Sequence, residues 1–265
     1  MKTKLKSTFN QLIDYGAPIL ALMVFLGVWE GLAQTGRISR LFFPAPSSIL
    51  ITLWHLVTSG EMVSNLMASL VRIGWGIIFG LVPGVIIGLA MGWSPRIRKF
   101  VDPFIAAIHP IPKIAIFPLI MILFGLGEVS KIVAISISTF FPALINSMAG
   151  VRQLNPVFFE VAQNYGANRW KTFTHVVFPG SLPMILAGAR IAFNMALVIT
   201  VSVELLTARE GLGVMIWFAW ETLRTQDLYA TLVVIAALGM ALNLLLQKAA
   251  VYLTRWNSQT SSENK

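Results

Sequence analysis

The sequence predicts an all-α membrane protein with six transmembrane helices. Three observations carry that expectation. Of 265 residues, 56% are hydrophobic and 12% charged, where a soluble domain carries about 25% charged residues; the mean hydropathy is +0.76. The apolar residues gather in six blocks, each long enough for a crossing helix of roughly 20 residues. None of the blocks alternates polar and apolar residues as the strands of a membrane barrel would, and a helix satisfies its own backbone in lipid. Together these exclude an ordinary soluble enzyme, a disordered chain and a nucleic-acid module. The net charge of +9 is spread between the apolar blocks and forms no patch, so it reads as a topology signal. The chain has no cysteine, which excludes disulfide scaffolds, thiolate metal sites and cysteine nucleophiles.

The first span, 17–34, follows Lys2, Lys4 and Lys6 as a secretory signal would. It is long for a signal core, and Glu30-Gly-Leu-Ala-Gln-Thr is a poor cleavage site, so it reads as a retained anchor. The second, 67–93, carries Gly76, Gly80, Gly84, Gly88 and Gly92. Residues four apart share a helix face, and such a ridge lets another backbone approach closely. It predicts helix packing, with sliding against a neighbour as the functional alternative.

The third span, 101–126, carries Pro103, Pro110, Pro112 and Pro118. Asp102-Pro103 reads as a cap followed by a first-turn proline. Pro110 and Pro112 are interior and free carbonyls four residues back. Such carbonyls are tolerated only against protein or a water-filled cavity, which predicts a kinked helix facing the bundle interior. His109 and Lys113 share a face there; they either line a pathway or snorkel and pair locally. The remaining spans are 131–150, 183–206 and 229–252. Glu204, in the fifth, could pair with Arg72 or Lys113, or sit near the outer mouth. Arg190 and Glu30 read as snorkelling near span ends.

The N-terminal tail, the 94–100 loop, the 151–182 loop and the C-terminal end hold 12 of the 20 Lys and Arg residues. The positive-inside rule therefore places both termini in the cytoplasm. No room remains for a folded extracellular domain, no internal repeat is evident, and the polar tail 257–265 reads as frayed. The whole chain, 1–265, reads as a single membrane domain.

The 151–182 loop is more structured than a connector needs. Asn155-Pro156 predicts an N-cap with proline in the first turn. Val157, Phe158, Val161, Ala162 and Tyr165 recur at helical spacing on one face. Gly166 predicts a stop, Asn168 a second cap, and Phe178-Pro179 the end of a second short helix carrying Trp170 and Phe173, before Pro183 opens the fifth span. A helix–glycine–helix unit of this kind either rests on lipid or docks in the groove of a soluble partner.

At this loop the sequence resembles a known family. Glu160-Val-Ala162, Gly166 and Val176-x-Phe178-Pro179 are similar to the "EAA" loop of ABC importer permeases, roughly E-A-A-x3-G-x9-I-x-L-P, with three apolar exchanges and intact spacing. Phe43-Pro-Ala-Pro-Ser-Ser-Ile-Leu50, Pro110-Ile-Pro-Lys113, Pro118-Leu119, Phe124-Gly-Leu-Gly-Glu-Val-Ser-Lys131, Phe141-Pro142 and Gly150-Val-Arg152 resemble the branch importing sulfonates, taurine, nitrate and bicarbonate. Permeases for thiamine-precursor pyrimidines and riboflavin look similar. The resemblance implies a type I ABC importer permease fold in the inner membrane of a prokaryote. Its implied partners are a second permease subunit, in a homodimer, two cytosolic ABC ATPases that hold the ATP and Mg, and a periplasmic or lipid-anchored binding protein.

The implied coupling residues are Glu160, Val161, Ala162, Tyr165, Gly166, Ala167, Arg169, Trp170 and Pro179, with His109, Pro110, Pro112, Lys113 and Glu204 as pathway candidates. No catalytic residue, cofactor, metal or nucleic acid is expected in this chain. It carries no G-x-x-x-x-G-K-[ST] phosphate loop, no H-E-x-x-H and no G-x-S-x-G. The expected solute is a small anion, with organic sulfonates such as taurine ahead of nitrate or bicarbonate and then a pyrimidine. An ion-gradient-driven carrier is the alternative.

Overall fold

The computed structural model describes residues 2–207 and 209–254, with side chains from residue 16 onward. These residues form eleven α-helices and one π-turn and contain no strand. In chain order the helices are α1 (Lys2–Gln34), α2 (Pro46–Thr58), α3 (Glu61–Trp93), α4 (Pro95–Ile108), α5 (Phe117–Phe124), α6 (Glu128–Arg152), α7 (Pro156–Asn164) and α8 (Arg169–Thr172). The π-turn Phe173–Val177, α9 (Phe178–Thr207), α10 (Leu212–Glu221) and α11 (Thr225–Leu253) follow. Among the described residues five segments are long and apolar enough to cross a membrane: Gly16–Gln34, Glu61–Trp93, Glu128–Arg152, Arg169–Thr207 and Thr225–Leu253.

The chain divides into two compact units. Among the described residues, one holds those up to Val63 together with Met215–Val233; the other holds those of 64–214 and those from Val234 onward. In the smaller unit, α2 starts on the carboxylate of Glu30, which accepts from the Ser47 N–H at 3.0 Å and the Ser47 hydroxyl at 2.7 Å. Glu30 is thus paired locally, not left to snorkel. Trp29 and Tyr229 meet edge to face, 5.7 Å between centroids.

The larger unit is organised by the glycine ridge. A Cβ added at Gly76, Gly80, Gly84, Gly88 or Gly92 would collide with α6, successively at Ile135, Ser136 and Thr139, Phe140 and Ala143, Leu144 and Ser147, and Met148 and Val151. Both sets of numbers rise together, so α3 and α6 run parallel in backbone contact over about 24 Å. The Thr139 hydroxyl donates to the Gly76 carbonyl at 3.1 Å. On another side of α6, Gly150 abuts Ser181 and Met184, and Gly188 abuts Pro142 and Asn146, so α9 runs antiparallel. Gly74, off the ridge, has open space around it. The core beneath joins Ile73, Ile77, Phe117, Ile120, Ile135, Ala196 and Val203.

Because α3 and α6 are parallel, the chain between Trp93 and Glu128 must return the length of the unit. It does so as a broken path. The expected kinked helix at 101–126 is instead α4, an irregular stretch at 109–116, and α5. Pro110 and Pro112 explain the break: two missing N–H groups within three residues exceed what a kink absorbs. The expected start at Asp102-Pro103 is also corrected. Helix α4 begins at Pro95 with the Ser94 hydroxyl accepting from the Ile97 N–H, and Pro103 lies inside it. This segment does not turn wholly inward: α4 buries no residue, while α5 buries Phe117 and Ile120.

The fifth span likewise differs at its start. Phe178-Pro179 does not end a helix; Arg169–Thr207 is continuous. The π-turn at Phe173–Val177 precedes Pro179, and its wider hydrogen bonding accommodates the proline's missing N–H and ring.

Candidate functional site

Three places in the larger unit hold the residues singled out in the sequence. The first is the projection formed by α7 and α8. The Asn155 side chain accepts from the Val157 N–H at 3.0 Å, with Pro156 in the first turn. The helix ends in a Schellman closure: Gly166, at φ +68, donates to the Gln163 carbonyl and Ala167 to the Ala162 carbonyl, both at 2.9 Å. Only glycine takes that φ at no cost. Asn168 then caps α8 by accepting from the Lys171 N–H at 2.9 Å.

One face of this projection is anchored. Phe159 and Phe173 pack on Leu89, Val151, Val177 and Ile185, and Phe173 stacks on Trp93 at the end of α3, 5.2 Å between centroids. The other face is open. Val157, Phe158 and Val161 are about half exposed, Trp170 is 71% and Tyr165 89% exposed. Glu160, Gly166 and Arg169 are exposed beside them, Ala162 and Ala167 are half-buried, and Pro179 is half-buried at the rim of a shallow 350 Å³ groove with Leu154, Phe158 and His175. A stiff, doubly capped element offering apolar side chains at i, i+4 and i+8 has the form of a helix-in-groove ligand.

The second place lies at the opposite end of the unit. The Arg72 guanidinium donates to Glu204 at 2.7 Å and to both Glu128 oxygens, and Lys131 donates to Glu128 at 2.6 Å. Two cations and two carboxylates balance the cluster, in which Arg72, Lys131 and Glu204 are buried and Glu128 is exposed. Glu204 also accepts from the Ser69 hydroxyl at 2.8 Å and the Gly213 N–H at 3.0 Å. Asn65, Ser69 and Arg72, spaced i, i+4 and i+7 on α3, hold the turn before α10. Asn65 accepts from the Gly211 N–H, Ser69 from the Leu212 N–H, and Arg72 donates to the Glu210 carbonyl. Arg72, not Lys113, is therefore the partner of Glu204.

Sequence reasoning missed Asn65, Ser69, Glu128, Gly211 and Gly213. A polar stripe at helical spacing inside an apolar block was the available signal. Lys131 is buried in α6.

The third place is the helix break. The Lys113 ammonium donates to the His109 and Ile111 carbonyls at 2.6 and 2.8 Å and approaches that of Ile108 at 3.4 Å, the carbonyl that Pro112 frees. It lies 4.8 Å over the Phe141 ring, beside which His109 also packs at 5.3 Å. Pro110 and Pro112 are exposed there. His109 and Lys113 are thus brought together halfway along α6, away from Glu204. Arg190, read as snorkelling, is instead tied sideways to α11: its Nε donates to the Asn243 side-chain amide oxygen Oδ1 at 3.0 Å.

Among the described residues no group of three or more His, Asp or Glu could hold a metal ion.

The family model described as "Binding-protein-dependent transport system inner membrane component" matches residues 76–259. The chain is 36% identical over 243 residues to the taurine transport system permease protein of Escherichia coli (strain K12), covering 90% of this chain and 88% of that one. It is 30% identical to the putative aliphatic sulfonates transport permease protein of Bacillus subtilis (strain 168), covering 91% and 87%. It also superposes, at TM-score 0.58 and 19% identity, on a chain from the crystal structure of an amino acid ABC transporter with histidines, covering 77% of this chain and 98% of that one. That last likeness is one of fold.

Proposed function

The chain belongs to the family of inner membrane components of binding-protein-dependent transport systems, and from that premise we propose that it is the permease subunit of an ATP-driven importer of small organic sulfonates, taurine foremost. Family membership makes it a transport protein and not itself an enzyme. In the proposed assembly two copies enclose the pathway, a binding protein delivers the solute, and two cytosolic ATPases bind ATP and Mg. The termini and the α7–α8 projection lie on the cytoplasmic side, as the distribution of Lys and Arg supports.

The observation that carries the coupling role is the open apolar face of α7 and α8, with Val157, Phe158, Val161, Tyr165 and Trp170 exposed on an element capped at both ends. Glu160 adds a carboxylate for a basic partner. ATP-driven closure of the partner pair draws two such projections together. The motion passes into the spans because Phe159 and Phe173 seat the projection on Trp93 and Val151, at the ends of α3 and α6. The glycine-to-backbone contact leaves those helices little freedom to slip, so they move as one body.

His109, Pro110, Pro112 and Lys113 line the pathway in this reading, at a break in the crossing segment where irregular backbone needs a cavity or protein against it. Glu204 serves as structure, since its carboxylate is engaged by Arg72, Ser69 and Gly213. That engagement also counts against an ion-gradient-driven carrier, which would need a carboxylate free to exchange its ion.

The test is reconstitution with the cognate ATPase and binding protein. Glu160→Ala and Gly166→Pro are expected to insert normally yet uncouple ATP hydrolysis from taurine uptake. Normal coupled uptake by both variants would refute the coupling role. Uptake of nitrate, bicarbonate or a pyrimidine in place of taurine would reassign the solute and leave the coupling intact.

A further inference from the structure

We infer that Arg190 of α9, held by Asn243 of α11 and flanked by Asn194, is a contact for the anionic oxyacid group of the transported solute. The inference rests on the proposed sulfonate pathway and adds to it a site.

Depth is the first argument. Arg190 lies about 13 Å along α9 from Ser181, which packs on Gly150 near the end of α6. Asn243 lies about 15 Å along α11 from its end at Leu253. Both distances approach half of a hydrocarbon core about 30 Å thick. The face is nevertheless open: Arg190 and Asn194 are exposed. A charged guanidinium facing acyl chains is costly, so such a face meets water or protein.

Orientation is the second. The Arg190 Nε donates to the Asn243 Oδ1 at 3.0 Å, and the Asn243 Nδ2 donates to the Asn194 Oδ1 at 3.1 Å and to the Gly239 carbonyl at 3.1 Å. The amide of Asn243 is thereby fixed with its oxygen toward Arg190. The guanidinium is fixed in turn through one edge, and Nη1 and Nη2 meet no acceptor among the described residues. No carboxylate pairs with it there. A planar fork with two free N–H donors matches two oxygens of a sulfonate or carboxylate. Arg72 makes the contrast, since its guanidinium is fully engaged by Glu128, Glu204 and the Glu210 carbonyl.

The experiment uses the complete transporter in proteoliposomes, with taurine as the probe and both uptake and ATP hydrolysis recorded at saturating loaded binding protein. Arg190→Gln is expected to lower the uptake rate about 30-fold while stimulated ATP hydrolysis stays within about twofold, the size expected when a bidentate charge-assisted contact is lost. Arg190→Lys keeps a cation and a donor for Asn243 but not the fork, and is expected about fivefold down. Should Arg190→Gln fail to assemble, the lysine variant decides: reduced uptake with intact hydrolysis supports the contact, and wild-type uptake overturns it. Parallel loss of uptake and hydrolysis in both variants would also overturn it, assigning Arg190 to the subunit interface or to a lipid headgroup. Failure of the wild-type transporter to move taurine, with hydrolysis stimulated, would instead remove the sulfonate reading beneath it.

Discussion

Arg72 and Glu204 are 132 residues apart in sequence and 2.7 Å apart in the structure, with side chains 2% and 0% exposed. Together with Ser69, Gly213 and Glu128 they tie α3, α6 and α9 at one end of the bundle. Removing one partner of a buried pair leaves an uncompensated charge and costs roughly 3–5 kcal/mol. Arg72→Met is therefore expected to lower the Tm of the detergent-solubilised protein by several degrees. The Arg72→Met/Glu204→Gln double variant should lose less than the sum of its singles. A purely additive double-mutant cycle would show that the two groups do not act as a unit.

The glycine ridge makes a position-specific prediction. A Cβ at Gly84 would lie 2.6 Å from the Phe140 carbonyl oxygen, whereas Gly74 has nothing within 4 Å. Gly84→Ala should destabilise by roughly 1–3 kcal/mol, since backbone cannot yield as a side chain can. Gly74→Ala should be neutral or slightly stabilising, because alanine is the better helix former. Thermal unfolding of the two variants side by side checks this, and equal melting temperatures would contradict the close approach of α3 and α6.

Lys113 is predicted to hold the break between α4 and α5 together. Its ammonium serves carbonyls that a helix would otherwise satisfy, so Lys113→Met should lower Tm and expose 109–116 to faster hydrogen exchange. Lys113→Arg, which keeps donors in reach, should restore most of the protection. Unchanged exchange in Lys113→Met would limit the lysine to a pathway role.

The caps of the α7–α8 projection give a graded series. Asn155→Ala loses one hydrogen bond at the helix start, worth about 1 kcal/mol, and should loosen the projection without abolishing uptake. Gly166→Ala forces a side chain into a left-handed φ of +68, at about 1–2 kcal/mol, with no steric clash nearby. Coupling efficiency, as solute moved per ATP, should fall in the order wild type, Asn155→Ala, Gly166→Ala, Gly166→Pro. An unordered series would separate coupling from the rigidity of this element.

What could be read in the sequence was local. The caps at Asn155 and Asn168, the stop at Gly166 and the packing ridge on α3 depend on short spacings, and the structure contains them all. The proline-rich span was read as kinked and is broken, because spacing alone does not say whether a neighbour will bridge freed carbonyls; here Lys113 does. The π-turn before Pro179 was invisible for a similar reason, since a proline usually signals an end. The ion network was legible only in part. Glu204 and Arg72 stood out as charges in apolar blocks, but Glu128 and the N–H groups of 211–213 joined them through tertiary packing. Arg190 was placed at a span end by counting residues, and only the position of Asn243 on α11 reveals its sideways anchor.

In the proposed assembly α7 and α8 seat in an ATPase. The chain has no cysteine, so Tyr165→Cys introduces a single attachment point at the most open position of that face, and Ile122→Cys, 80% exposed on α5, serves as the control. Each is labelled with a photoactivatable crosslinker in native membranes and the captured protein identified by mass spectrometry. Position 165, and not position 122, is expected to capture a protein carrying a G-x-x-x-x-G-K-[ST] phosphate loop, at one ATPase per permease. Capture of lipid alone at position 165, in membranes where that ATPase is present and uptake is intact, would contradict it.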